Sequence, residues 1–354
     1  MSLGPVMLDL RGQRLEDDER EILRHPLVGG VILFSRNYLD PDQLRNLCAE
    51  IHDLRNPPLL IAVDHEGGRV QRFHEHFTAL PPCRCYGEQY DNNAETGLEL
   101  SEQGGWLMAA ELLAVGVDFS FAPVLDLDKG LSSVIGNRAF HCHEDIASVL
   151  AKRFMRGMKQ AGMASVGKHF PGHGSVTQDS HVETPVDERR YEDIAMSDLL
   201  PFERLISAGL PAVMPAHVVY PKVDGKPAGY SNIWLQQVLR RQLGFQGVIF
   251  SDDISMEGAG VAGDYGDRVR AALNAGCDMV LICNNQQAAV KVLGELDIKP
   301  LPASQARFMR MHGRGQSQSL TELQSTDRWK STAALIAGLD RLPELELGDD
   351  EIKS

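Results

Sequence analysis

Short apolar runs alternate with longer helical patterns along most of the chain. The runs fall at residues 5–8, 30–34, 59–63, 119–125, 163–166, 212–214, 248–250 and 279–283. Between them, apolar residues recur at helical spacing over 41–54, 95–115, 145–160, 191–208, 232–243 and 267–275. Short continuous apolar runs bounded by turn residues read as strands buried on both faces. Their alternation with helices implies βαβ units and a parallel sheet. Eight such units predict a (β/α)8 TIM barrel, a single domain over residues 1–340 with the last helices covering its outside. A doubly wound open sheet is the competitor. It usually carries a glycine-rich phosphate turn after its first strand, whereas the first run here continues into Asp9-Leu10-Arg11-Gly12.

The barrel turns the polar positions into an arrangement. The runs end in Asp9, Ser35-Arg36-Asn37, Asp64-His65-Glu66, Asp126, Lys168-His169, His217, Asp252-Asp253 and Asn284. All these ends converge on the C-terminal face, where barrel active sites sit. Capping or rim hydrogen bonds would explain one or two of them, but explain eight badly.

The densest polar stretch is Lys168-His169-Phe170-Pro171-Gly172-His173-Gly174, followed by Gln178-Asp179-Ser180-His181. Pro171, Gly172 and Gly174 oppose a continuing helix or strand, so these polar groups are expected on an irregular loop. Asp252 comes at the end of an apolar run that delivers it rigidly to the mouth, and adjacent Asp253 is expected to point elsewhere. Asp179 is close enough to His181 to orient its imidazole and favour the charged form, which prepares a histidine for proton transfer. In isolation, Asp-Ser-His also fits a simple Asx turn. Arg72 and Arg138 follow the strand-end aspartates Asp64 and Asp126, and such donor–acceptor sets grip hydroxyls. His141-Cys142-His143 and the pair His169/His173 make no convincing metal set, so neither metal nor cofactor is expected.

The 354 residues are 43% hydrophobic and 24% charged, as in a soluble globular protein. A net charge of −14 argues against nucleic acid or an anionic membrane as partner. No run approaches the roughly 18 apolar residues of a membrane span, and no secretory signal is recognisable. The six cysteines lack a disulfide-framework spacing, and Cys277 and Cys283 read as small core hydrophobes. A reduced, cytoplasmic protein is the expectation. Residues 341–354 are acidic and are expected to be a disordered tail.

Four ordered motifs then carry a resemblance across residues 4–335. They are Ala62-Val63-Asp64-His65-Glu66-Gly67-Gly68-Arg69-Val70-Gln71-Arg72, Lys168 to Gly174, Asp179-Ser180-His181 and Ser251-Asp252-Asp253-Ile254-Ser255-Met256. Together they resemble the one-domain β-N-acetylglucosaminidases of glycoside hydrolase family 3. His65 departs slightly, since glutamine is common there. The resemblance implies a retaining mechanism with Asp252 as nucleophile, His181 as acid/base and Asp179 as its partner. It implies that Asp64, Arg72, Arg138, Lys168 and His169 bind the sugar, with His217 also lining the pocket. The implied substrate is a terminal β-linked N-acetylglucosamine on GlcNAc-1,6-anhydro-MurNAc and its peptides, in cytoplasmic peptidoglycan recycling, acted on by a monomer. Three rivals stay open: a phosphorylase using the same covalent intermediate, a metal-dependent amidohydrolase, and a non-catalytic muropeptide sensor.

Overall fold

Among the described residues, ten strands form from the short apolar runs and from one hairpin. They are β1 (Val6–Asp9), β2 (Val28–Leu33), β3 (Leu60–Val63), β4 (Phe119–Ser120), β5 (Val166–Phe170), β6 (Ala212–Pro215), β7 (Val219–Tyr220), β8 (Asp224–Pro227), β9 (Val248–Ile249) and β10 (Val280–Ile282). The protein is seen in a computed structural model that describes residues 2–177, 184–298, 301–315 and 318–339. Strands β10, β1, β2, β3 and β4 pair in that order, and β5, β6 and β9 form a second parallel set. Two parallel bridges, Val124 with Lys168 and Phe250 with Met279, join the sets edge to edge. The result is a closed eight-stranded parallel barrel, the expected (β/α)8 fold, with no free edge to protect.

The helices are α1 (Asp17–Leu23), α2 (Pro41–Asp53), α3 (Arg84–Asn92), α4 (Ala94–Ala114), α5 (Glu144–Ala161), α6 (Tyr191–Ala195), α7 (Leu199–Ser207), α8 (Tyr265–Ala275), α9 (Gln286–Glu295), α10 (Pro302–Phe308), α11 (Leu320–Ser325) and α12 (Asp327–Ala337). A π-wound segment, Ile233–Gln242, lies between β8 and β9. Inside the barrel Phe119, Phe121 and Phe250 pack with centroids 5.3–5.4 Å apart, Phe121 meeting the other two edge to face. This arrangement fills a barrel interior densely.

Several expectations need correction. Lys168 and His169 were expected on a loop, but they belong to β5, which runs to Phe170 before Pro171 ends it. The helix expected over 191–208 is two helices. Pro201 cannot sit mid-helix, but it is tolerated in the first turn of α7, where its missing N–H costs no bond. The run 119–125 forms a strand at Phe119–Ser120 and, beyond the interruption at Pro123, a single bridge from Val124 to Lys168. The β7–β8 hairpin was not anticipated; β7 has two residues and β8 is largely polar.

Candidate active site

At the barrel's C-terminal mouth, β3 and β5 bring together a charged cluster. Asp64 and Glu66 follow β3, and alternate residues of an extended chain share a face. Lys168, buried in β5, places its Nζ 2.8 Å from Asp64 Oδ1 and 2.7 Å from Glu66 Oε1. An ammonium has three donors, so among the described residues one is left for a ligand. Arg138 donates through Nε (2.9 Å) and Nη2 (2.8 Å) to the two oxygens of Glu66, and through Nη1 to the Val134 carbonyl at 3.1 Å. Arg72 stands 4.0 Å from Asp64 Oδ2. Burial alone would raise the Glu66 carboxyl, but Arg138 and Lys168 more than offset it and hold its pKa well below the ordinary range. For Lys168, burial opposes the charge, while Asp64 and Glu66 outweigh it and raise the pKa. Glu66 and Lys168 are therefore both ionised at neutral pH.

The second cluster is built on the bulge in β5. Lys168 pairs with Met214 and Phe170 with Pro215, so His169 is the extra residue between them. A bulge re-aims side chains, and here it gives both Lys168 and His169 a partner at the mouth. His169 Nδ1 lies 2.6 Å from Asp126 Oδ2. A carboxylate only accepts, so Nδ1 carries the proton and Nε2 is left available. Asp126 also accepts from the backbone N–H of His169 (3.1 Å) and of His173 (2.6 Å). Burial would raise Asp126, and the His169 imidazole leads the groups that bring it below its ordinary value.

Asp252 leaves β9 half-buried at the mouth, accepting a hydrogen bond from the Asp253 N–H at 2.8 Å. Burial would raise its pKa, but His217, His169, the Asp253 N–H and Lys168 outweigh that and lower it. His217 is wholly buried, and its Nε2–H donates to the Asp253 carbonyl at 3.1 Å. Burial lowers the His217 pKa, so at neutral pH a neutral imidazole stands beside an ionised Asp252. Asp253 does point elsewhere, accepting from Ser255 N–H (2.9 Å), Ser255 Oγ (2.6 Å) and Cys283 N–H (3.2 Å). Burial pushes its carboxyl up to about 6. One of two adjacent aspartates is thus a held structural group, and the other is an anion with no cation bonded to it among the described residues.

A half-buried anion with Lys168 and His169 within electrostatic reach suits attack on, or stabilisation of, an electron-poor sugar carbon. The sequence matches the profile "Glycosyl hydrolase family 3 N terminal domain" over residues 5–314. The chain belongs to glycosyl hydrolase family 3. Its relatives include the β-hexosaminidase of Thioalkalivibrio sulfidiphilus, 58% identical over 347 residues, covering 98% of this chain and 99% of that protein. That of Thiobacillus denitrificans is 56% identical over 352 residues, covering 99% and 98%. Among solved structures, NagZ from Neisseria gonorrhoeae in complex with N-trifluoroacetyl-D-glucosamine aligns with a TM-score of 0.91 at 44% identity, covering 96% of this chain and 98% of that one. The family 3 chain is thus a glycoside hydrolase of the β-N-acetylhexosaminidase class.

Within this family 3 barrel, Asp64, Arg72, Lys168, His169 and Asp252 gather at one mouth. Arg138 joins them through Glu66, and His217 stands beside Asp252 with no exposed surface. Asp179 and His181 lie outside the described residues. The sequence left Glu66 without a role and set Asp126 beside Arg138, whereas Arg138 pairs with Glu66 and Asp126 with His169. The alternation Asp64-x-Glu66 was the available signal for the first. For Asp126, the signal was its place at the fourth strand end.

Proposed function

We propose that the protein is a retaining exo-β-N-acetylglucosaminidase in which Asp252 is the nucleophile, His181 the acid/base and Asp179 its orienting partner. The carrying observation is Asp252 itself: an ionised carboxylate at a strand end, within electrostatic reach of Lys168 and His169. In the first step the Asp252 carboxylate forms a bond to the anomeric carbon as the glycosidic bond breaks. His181, as imidazolium, gives its proton to the departing oxygen. In the second step water attacks the same carbon, His181 takes the water's proton, and Asp252 leaves as carboxylate. Asp64, Lys168, Arg72 and His169 Nε2 hold the sugar hydroxyls, with Arg138 fixing Glu66 and adding its remaining donors. These contacts can strengthen as the ring flattens and charge develops.

The substrate reading is a terminal β-GlcNAc on peptidoglycan fragments, GlcNAc-1,6-anhydro-MurNAc and its peptides, in cytoplasmic cell-wall recycling. A monomer handling a soluble carbohydrate fits this reading. The names of the relatives and the N-acetylglucosamine-type ligand of the Neisseria protein support the sugar. No described helix is long and apolar enough to cross a membrane.

Asp252→Ala tests the reading. Loss of the covalent route should lower turnover of a chromogenic GlcNAc glycoside by roughly 10³ or more, with the fold intact by circular dichroism. A variant retaining a tenth of wild-type turnover overturns the assignment. The wild-type product should be free GlcNAc whether or not phosphate is added.

A further inference from the structure

The barrel face opposite the mouth carries an open groove of about 1210 Å³. The turns entering β5, β6 and β9 form its floor, with Met155, Leu210 and Phe245 among the apolar side chains. Lys152, Arg156 and Lys159 of α5 line one side, and Arg310 and Arg314 beyond α10 line another. No carboxylate is among its lining residues, in a chain whose net charge is −14. Arg153 and Arg156 share Glu102, and Arg307 pairs with Asp278. Lys152, Lys159, Arg310 and Arg314 have no ion-pair partner among the described residues. Ser165, also in the lining, has a buried hydroxyl with no hydrogen-bond partner there. Like charges gathered in a concave surface favour an anionic occupant.

The chain supplies one. Residues 340–354 hold Asp340, Glu344, Glu346, Asp349, Asp350 and Glu351 against Arg341 and Lys353. Leu342, Leu345, Leu347 and Ile352 are interleaved with them, matching an apolar floor rimmed by cations. The described chain also ends nearby. Leu335 of α12 lines a recess with Leu98 and Arg153, and these two residues line the basic groove as well. Extended, residues 340–354 reach up to roughly 50 Å, whereas the 18 residues of α5 make a helix of about 27 Å.

We propose that the acidic segment 340–354 of this chain docks in the basic groove beneath its own barrel. Tethering raises the local concentration of the segment to the millimolar range, so modest contacts suffice. Because the groove lies at the far end of the barrel from Asp252, turnover of GlcNAc glycosides is unaffected by docking.

Hydrogen exchange read by mass spectrometry on the intact chain tests this. At about 20 mM salt, amides in 342–352 should exchange at least about tenfold slower than in a synthetic peptide of residues 340–354, and near 1 M salt the difference should vanish. Lys152→Glu with Lys159→Glu should release the segment. So should Asp349→Lys with Asp350→Lys and Glu351→Lys, changes that leave the barrel untouched. Combining the two sets should restore part of the protection. Free-peptide exchange in the wild type at low salt overturns the proposal. Protection that survives both reversals, or that grows with protein concentration as a second copy would cause, overturns it too. A free segment together with groove-dependent heparin retention would assign the groove to an external polyanion and equally overturn it.

Discussion

Arg138 and Arg72 show how little residue type alone says about role. Both follow a strand-end carboxylate in the sequence, yet only Arg138 forms a two-pronged pair, with both oxygens of Glu66. Arg72 stands 4.0 Å from Asp64 and 5.7 Å from the Phe34 ring centroid. A lysine cannot reproduce a planar fork. Arg138→Lys should therefore lose one charge-assisted bond, roughly 1.5–3 kcal/mol, and lower kcat/KM by about 10- to 150-fold. Arg72→Lys should cost less than about tenfold. Steady-state kinetics on one chromogenic GlcNAc glycoside compares the two, and equal losses would contradict the assigned geometry. Asp252 and Asp64 were legible because each ends an apolar run. Glu66 was given no role and Asp126 the wrong partner, because the pairings that form, Glu66 with Arg138 and Asp126 with His169, join distant parts of the chain. No local pattern records such a pairing.

At the scale of elements, the barrel strands were readable because parallel strands are apolar on both faces. β5 defeated that logic in its second half. Lys168 and His169 are polar, and the bulge that turns them into the mouth leaves no mark in an alternation pattern. The β7–β8 hairpin failed for the opposite reason, since Asp224-Gly225-Lys226 carries no apolar face. The hairpin nevertheless bears on the segment that follows β5. The Tyr220 hydroxyl donates to the Gly172 carbonyl at 2.7 Å, and the Asp187 N–H donates to the Val219 carbonyl at 2.9 Å. The chain is thus anchored on both sides of Asp179 and His181. If that dyad supplies the acid, His181→Ala and Asp179→Ala should slow the first step most for poor leaving groups, which need protonation. A dinitrophenol glycoside should lose far less. Pre-steady-state rates across leaving groups of differing acidity check this, and a uniform loss would remove the dyad from the acid role.

The whole molecule is tied together on the face away from the mouth. Asp118, just ahead of β4, accepts from the Ile61 N–H (2.8 Å), the Gly313 N–H (2.9 Å) and His52 Nε2 (3.1 Å). Strand β3, helix α2 and the segment after α10 thus meet at one carboxylate. Burial would raise its pKa, but the His312 and His52 imidazoles and the Ile61 N–H bring it down to about 2. A depressed folded-state pKa means that this stabilisation is present above the ordinary value of 3.8 and is lost as pH falls toward about 2. Asp118→Asn should therefore cost about 2 kcal/mol at neutral pH, and the gap to wild type should narrow in acid. Urea unfolding at both pH values measures it, and a gap that widens in acid would contradict the sign.

In the proposed mechanism Asp252 becomes covalently bonded to the sugar. A 5-fluoro-GlcNAc glycosyl fluoride has a good leaving group, and the ring fluorine slows release of the glycosyl-enzyme. Intact-mass and peptide mass spectrometry after acid quench should find one added glycosyl group, on the peptide containing Asp252, and none in Asp252→Ala. No adduct, or an adduct on Asp253 or any other residue, would contradict the account.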